Sequence, residues 1–132
     1  MKKFIVFISI ILTLLITLIG CSSTSGNLNE LTPNSLFDVL KTSEIIPLET
    51  KLNSFNTYKE DGLSIGVVDF SHEFYNFNLG SSGEILMLNS IAKAYMKNFH
   101  LDKFKILVDG EEYQSGHILY EKDDYFTLDS ID

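Results

Sequence analysis

The first twenty residues constrain the fold most, because their pattern is that of a segment removed from the chain before the rest folds. Met1-Lys2-Lys3 is a short basic start, and residues 4–19 carry no charge. A membrane-spanning helix needs about 20 apolar residues, so this run is short for a permanent span and typical of a cleaved signal peptide. The sequence therefore predicts a signal peptide over residues 1–20, and of the 132 residues 112 remain for one modest core.

The end of this leader, Leu18-Ile19-Gly20-Cys21, resembles the bacterial lipobox. A thiol just after the apolar run can reach the membrane surface and accept diacylglycerol as a thioether, and the small Gly20 lets the peptidase approach the preceding bond. We predict Cys21 as the lipid attachment residue and Leu18, Ile19 and Gly20 as cleavage-site recognition residues. The alternatives are an incidental or a buried cysteine. Palmitate-type chains would hold this lipoprotein on the extracytoplasmic face of the cell membrane.

Charge and cysteine content exclude several classes of protein. After removal of the leader, eight lysines oppose eighteen acidic residues, which gives a net charge of −10, and the chain has no arginine. Nucleic-acid binding depends on clustered Lys and Arg that neutralise phosphates, so we predict no nucleic-acid partner. Cys21 is the only cysteine, and internal disulfides are therefore excluded.

Residues 21–34 are rich in Ser, Thr, Asn and Gly, a composition that predicts a flexible tether spanning on the order of 20 Å. The folded domain is predicted over residues 35–126. An acidic tail, residues 127–132, is predicted to follow it, and we expect the last twelve residues to be loosely ordered. No internal repeat is visible.

Hydrophobic periodicity predicts a small single α+β domain with the element order αββαβ. Asn34 or Ser35 can cap a first helix, Asp61-Gly62 suits a hairpin turn, and Ser81 with Glu84 has the spacing of a capping box. The long helix carries an apolar stripe at Ile85, Leu88, Ala92, Tyr95, Met96 and Phe99. The predicted elements are helix 36–41, strands 50–58 and 63–70, a helix from residue 81, strand 103–108, and an interrupted fourth strand within 112–120. Helices are expected to pack on a short sheet of three to four strands.

Motifs for catalysis or metal binding are absent from the sequence. None of the three histidines stands in a metal-ligand spacing, so we predict no metal and no cofactor. Asp69, His72 and Glu73 lie at the end of the second predicted strand and are candidates for an acid/base cluster, although a junction between strand and loop is normally polar. We predict that the protein is not an enzyme and keep a small envelope enzyme that uses these three residues as an alternative.

Phe74, Tyr75 and Phe77 form an aromatic cluster in the predicted loop after the second strand. Large apolar side chains in a loop often mark a partner surface, which makes these residues a candidate interaction surface. The alternative is that they cover the edge of a small core.

Four ordered segments are similar to the GerM domain of sporulation and spore germination proteins. They are LSIGVVDFSHEF at 63–74, GSSGE at 80–84, IAKAY at 91–95, and FKILVDGE at 104–111, the last followed by Gly116-His117. Their order and spacing both agree with that family. The departures are a missing first strand, which residues 22–34 could partly replace, and a single domain where many members have two.

The resemblance implies a non-catalytic binding module, similar to the ring-building domains of sporulation channels and secretion systems. It also implies a role in assembling envelope complexes during sporulation or germination. Its expected partners are the membrane, envelope or spore proteins, peptidoglycan as a further candidate, and other copies of the chain. The alternative binding function is a solute- or wall-binding lipoprotein.

Overall fold

A computed structural model describes residues 31–131. The predicted leader, residues 21–30 of the predicted tether with Cys21 among them, and residue 132 of the predicted tail lie outside the described residues. The elements are α1 (Pro33–Thr42), β1 (Leu52–Glu60), β2 (Leu63–Phe70), a 3₁₀ turn (His72–Tyr75), α2 (Ser81–Asn98), β3 (Lys103–Val108), β4 (Glu111–Glu112) and α3 (Leu128–Ile131). The predicted α+β class and the αββαβ order are confirmed.

The four strands form one mixed sheet in the order β1-β2-β3-β4. β1 and β2 are an antiparallel hairpin, β2 and β3 are parallel, and β3 and β4 are antiparallel. Parallel neighbours need a crossover, and α2 supplies it. Asp61 and Gly62 have φ values of 51° and 81°, which fits a two-residue type I′ turn whose twist matches the strands.

The first helix begins earlier than predicted. Thr32 is its cap and accepts a hydrogen bond from the backbone N–H of Ser35 at 3.1 Å, so the predicted caps Asn34 and Ser35 are wrong. Pro33 occupies the first turn, where the missing N–H costs nothing because that donor would have no helical partner. The helix thus starts before residue 35, the predicted beginning of the domain.

The long helix starts at the predicted residue, but its capping box does not form. The cap is Gly80, and no side chain bonds the free N–H groups there. Glu84 instead points into the core with no exposed surface, and it replaces Ile85, which is 47 % exposed, at the head of the buried stripe. The buried residues of the helix are Glu84, Met87, Leu88, Ile91, Ala92, Tyr95 and Met96.

The core lies between the two longer helices and one face of the sheet. Phe37 of α1 stacks on Phe70 of β2 at 5.7 Å between ring centroids, and Tyr95 of α2 stacks on Phe104 of β3 at 5.2 Å. The side chain of Leu101 packs directly on Gly66 of β2, so closely that a Cβ at residue 66 would lie 2.3 Å from Leu101 Cδ1. Burial of this apolar face provides the main stabilisation.

The C-terminal residues are more ordered than predicted. Phe104 and Phe126 exchange backbone hydrogen bonds of 3.0 and 2.8 Å, and Phe126 is buried. α3 then packs against α2 and includes most of the predicted tail. The predicted fourth strand within residues 112–120 does not form as one strand: β4 is Glu111–Glu112, and an isolated bridge joins Gln114 and Leu119. Phe126 thus anchors the acidic C-terminal segment, because burying its ring removes a large apolar surface from water.

Candidate binding groove on the second sheet face

The sheet face opposite the helices carries polar and charged side chains, yet part of it is buried. Pairing between β2 and β3 sets Ile65 beside Lys103, and Val67 beside Lys105. Ile65 is 1 % exposed and Lys105 is 7 % exposed. Because side chains alternate between faces along a strand, these residues point away from Phe104 and the core. Something other than the two longer helices must therefore cover this face.

The covering segment is the chain just before Phe126. The Lys105 ammonium forms an ion pair with Glu112 at 2.9 Å and donates a hydrogen bond to the backbone carbonyl of Lys122. It also lies 4.7 Å from the ring centroid of Tyr125. Lys103 lies 5.3 Å from the same centroid, so Tyr125 contacts two ammonium groups. Such cation–π contacts stabilise a charge that is removed from water.

Tyr58 of β1 completes this cluster. A hydrogen bond with Tyr125, together with partial burial, raises the pKa of Tyr58 above its ordinary value. This contact between the two hydroxyls links the edge strand β1 to the covering segment.

A groove of about 640 Å³ runs along this face. Positively charged lysines and negatively charged carboxylates line it. Two tyrosines and apolar side chains of the strands form the rest of its wall. The polar lining residues are Tyr58, Glu60, Lys103, Lys105, Glu111, Glu112, Lys122, Asp123 and Tyr125. One oxygen of Glu112, Oε2, has no hydrogen-bond partner among the described residues. A wall of mixed charge and aromatic rings suits a polar partner that offers both donors and acceptors.

The structure does not assemble the three candidate catalytic residues into a site. Asp69 accepts a hydrogen bond from the backbone N–H of Gly110 at 2.9 Å and so holds the turn between β3 and β4. His72 lies 3.8 Å from Asp109, with both side chains more than half exposed. Glu73 accepts a hydrogen bond from the Ser71 hydroxyl at 2.5 Å. Each group therefore has a separate partner, whereas acid/base catalysis needs its groups directed at one reacting atom.

Ser71 is also the main reason that the pKa of Glu73 is lowered. The Ser71→Ala substitution is expected to raise the pKa of Glu73 toward its ordinary value, because the hydroxyl bonds the charged form. A lowered pKa in the folded state adds stability above the unfolded-state pKa, and this stability is lost as the pH falls through the folded-state pKa. NMR titration of the Glu73 carboxyl measures the change, and an unchanged titration midpoint would contradict this account of the pKa.

Phe74, Tyr75 and Phe77 lie against the core. Phe74 has no exposed surface and packs on Phe70 at 4.8 Å and on Tyr113 at 5.9 Å between centroids. Tyr75 and Phe77 are half-buried. The prediction that Phe74 belongs to an exposed interaction surface is therefore wrong, because the 3₁₀ turn that begins at His72 directs its ring inward. Tyr75 and Phe77 form the rim of the core.

Sequence reasoning did not identify the groove. Its alternating lysines, Lys103 and Lys105, have the pattern of a solvent-facing strand edge, and Tyr125 lies in a segment expected to be loose. The available signal was weak: two lysines, Lys103 and Lys105, stand at the start of the segment 103–125, and an aromatic residue, Tyr125, stands at its end. Within residues 31–131, no group of three or more His, Cys, Asp or Glu side chains could hold a metal ion. No helix in the same part of the chain is long and apolar enough to cross a membrane.

The fold and this sequence pattern agree with a known family. A family model described as Germane, sporulation and spore germination, matches residues 20–114. The chain belongs to the Germane family. This match confirms the resemblance to GerM domains. It covers β1 to β4 and ends before Lys122 and Tyr125, which cover the groove face.

Among solved structures, a crystal structure from Clostridium perfringens, provisionally described as that of a lipoprotein, is similar to 73 % of this chain at 24 % identity with a TM-score of 0.57. The chain covers 66 % of that protein's length, just under two thirds. At this identity the likeness supports the fold alone. No curated protein matches the Germane chain.

Proposed function

We propose that this Germane-family chain is a lipoprotein anchored through Cys21 on the extracytoplasmic face of the cell membrane. Its domain would bind envelope proteins during sporulation or germination without catalysing a reaction. The observation that carries the proposal is the family match from residue 20 to residue 114, joined at its start to the lipobox at Leu18-Ile19-Gly20-Cys21. A domain joined by a short tether to a lipidated cysteine would act at the membrane surface.

The separate partners of Asp69, His72 and Glu73 support a binding role over catalysis. The groove beside Tyr125 supplies charged and aromatic side chains that a polar loop or side chain of a protein partner could contact. Charged groups on both sides favour a specific, correctly oriented partner, since complementary charges contribute more to specificity and association rate than to affinity. We assign partner binding to this groove.

Lipid attachment is expected to depend on a single atom, the sulfur of Cys21. The Cys21→Ala substitution should abolish incorporation of labelled fatty acid and leave a heavier precursor, because the thioether cannot form and the leader is then not removed. Ser22→Ala is the matched control and should be labelled as the unchanged chain is. Labelling of the Cys21→Ala chain would refute the anchor.

The groove and the sporulation role are tested together by complementation. A deletion strain should sporulate or germinate poorly, and the unchanged chain should restore it. Lys103→Glu reverses a charge in the groove, whereas Lys97→Glu makes the same change on an exposed position of α2. We expect Lys97→Glu to complement and Lys103→Glu to fail at equal protein levels. Normal sporulation and germination in the deletion strain would contradict the proposed role. Full complementation by Lys103→Glu would contradict the assignment of that role to the groove.

A further inference from the structure

The sheet ends in two unlike edges. On one side the outer strand is β4, which has only two residues, and Phe126 takes the next position along β3. On the other side the outer strand is β1, with nine residues and no neighbouring strand on its outer side among residues 31–131. A long edge strand presents a row of unpaired N–H and C=O groups that can pair with another strand. The fold thus shortens one edge and leaves the other open.

The open edge also lacks most of the devices that prevent pairing. Proteins usually guard such an edge with inward-pointing charges, prolines or bulges. β1 has a bulge between Leu52 and Ser54 and one lysine, Lys59, near its other end. Between them lies an uncharged run, residues 54–58, in which every side chain is exposed except the half-buried Phe55. The centre of β1 is therefore free of charge and accessible.

The hairpin determines which backbone groups face outward. The two-residue turn makes Glu60 and Leu63 the first cross-strand pair, and in such hairpins this pair is hydrogen-bonded. Bonded and non-bonded pairs then alternate along an antiparallel ladder. The N–H and C=O groups of Tyr58 and Asn56 consequently point toward β2, while those of Phe55, Thr57 and Lys59 point away from the sheet.

We propose that β1 pairs with β1 of a second copy of this chain, antiparallel, across a two-fold axis at Asn56. This register sets Phe55 opposite Thr57 of the second copy, and Thr57 opposite its Phe55. Both residues have outward-facing backbone groups, so the ladder hydrogen bonds form on each side of the axis. A self-complementary surface of this kind closes into a dimer and does not extend into a fibre.

Charge complementarity selects the second copy as the occupant. Lys51 precedes the strand at one end, and Glu60 and Asp61 stand at the other. In the antiparallel dimer, Lys51 of each copy lies beside the Glu60–Asp61 end of its neighbour, whether or not the bulge shifts the alignment by one residue. Tyr58 faces Ser54 of the neighbour and remains beside the groove. The pairing joins the two grooves on one continuous sheet and does not require the lipid anchor.

Disulfide trapping in the full-length chain tests this arrangement. Asn56→Cys places two thiols across the axis at a non-hydrogen-bonded pair, where Cα atoms lie about 4.5 Å apart, within reach of a disulfide. Ser54→Cys is the matched control on the same face of the strand. Its two thiols would be four residues out of register, about 13 Å apart, which is too far. We expect oxidised dimer from Asn56→Cys at least about tenfold above that from Ser54→Cys.

Two charge reversals add a second readout in the Asn56→Cys background. Lys51→Glu is expected to lower the dimer yield about fivefold, because it sets like charges together at both ends. Lys59→Glu changes the net charge equally but faces Asn53, and it should leave the yield unchanged. The unmodified chain, whose only cysteine is Cys21, measures the background, and fatty-acid labelling of the same samples reports the anchor separately.

Equal yields from Asn56→Cys and Ser54→Cys, or no dimer from Asn56→Cys, would overturn the proposal. A monomeric chain in this assay would assign the edge to another occupant, such as residues before Leu31. The Asn56 side chain is exposed, so its substitution should not affect folding, and thermal melting of each variant verifies this.

Discussion

Tyr113→Phe is expected to lower the free energy of unfolding by about 1–3 kcal/mol, because it leaves a buried carboxyl group without its partner. The Tyr113 hydroxyl donates a 2.6 Å hydrogen bond to Glu84 Oε1, and neither side chain has exposed surface. The other oxygen of Glu84 has no hydrogen-bond partner among the described residues. Loss of one hydroxyl would leave both oxygens unsatisfied. Chemical denaturation of the two proteins measures the difference.

Tyr95→Phe is the control, since it makes the same chemical change at an equally buried ring. The Tyr95 hydroxyl has no hydrogen-bond partner in the part of the chain that the structure describes, and burial raises its pKa. Removing a buried, unsatisfied hydroxyl should leave stability unchanged or raise it by up to about 1 kcal/mol. If the two substitutions destabilised the protein equally, the Glu84–Tyr113 bond would have no special value.

Two elements of the fold could be predicted from the sequence alone. The hairpin turn at Asp61-Gly62 was predictable because positive φ angles at two successive residues require a particular residue chemistry. The strand at residues 103–108 was predictable because its apolar side chains alternate with polar ones. Both signals are local, and tertiary packing only reinforces them.

Glu84 and Lys105 show what a local pattern cannot contain. The capping-box spacing at Ser81 and Glu84 is a real signal, but Tyr113, 29 residues later, binds the carboxyl group and turns it inward. Lys105 occupies a polar position of an alternating strand, and Glu112, Lys122 and Tyr125 remove it from water. Whether a polar residue is buried depends on hydrogen-bond partners distant in sequence, and the local periodicity of the sequence contains no information on those partners.

The groove and the open edge depend on the same long-range packing. The groove exists because Tyr125 crosses the lysines of β3, and Tyr125 is held there because Phe126 pairs with Phe104. The open edge exists because the chain places β1 outermost and returns through α2 to the other side of β2. Tyr58 belongs to both surfaces, so dimer formation at the edge would bring partner binding on two grooves into one assembly.

Phe74→Ala is expected to lower the free energy of unfolding by about 3–5 kcal/mol, the cost of deleting a fully buried aromatic ring. Its ring packs on Phe70, Phe77 and Tyr113, and the cavity would open beside the Glu84–Tyr113 bond. Phe77→Ala, at a half-buried ring, should cost less than half as much. A residue of an exposed interaction surface would instead change stability by no more than about 0.5 kcal/mol. Thermal and denaturant unfolding therefore distinguish the two assignments directly: a small effect at Phe74 would restore the aromatic cluster as a surface for partners.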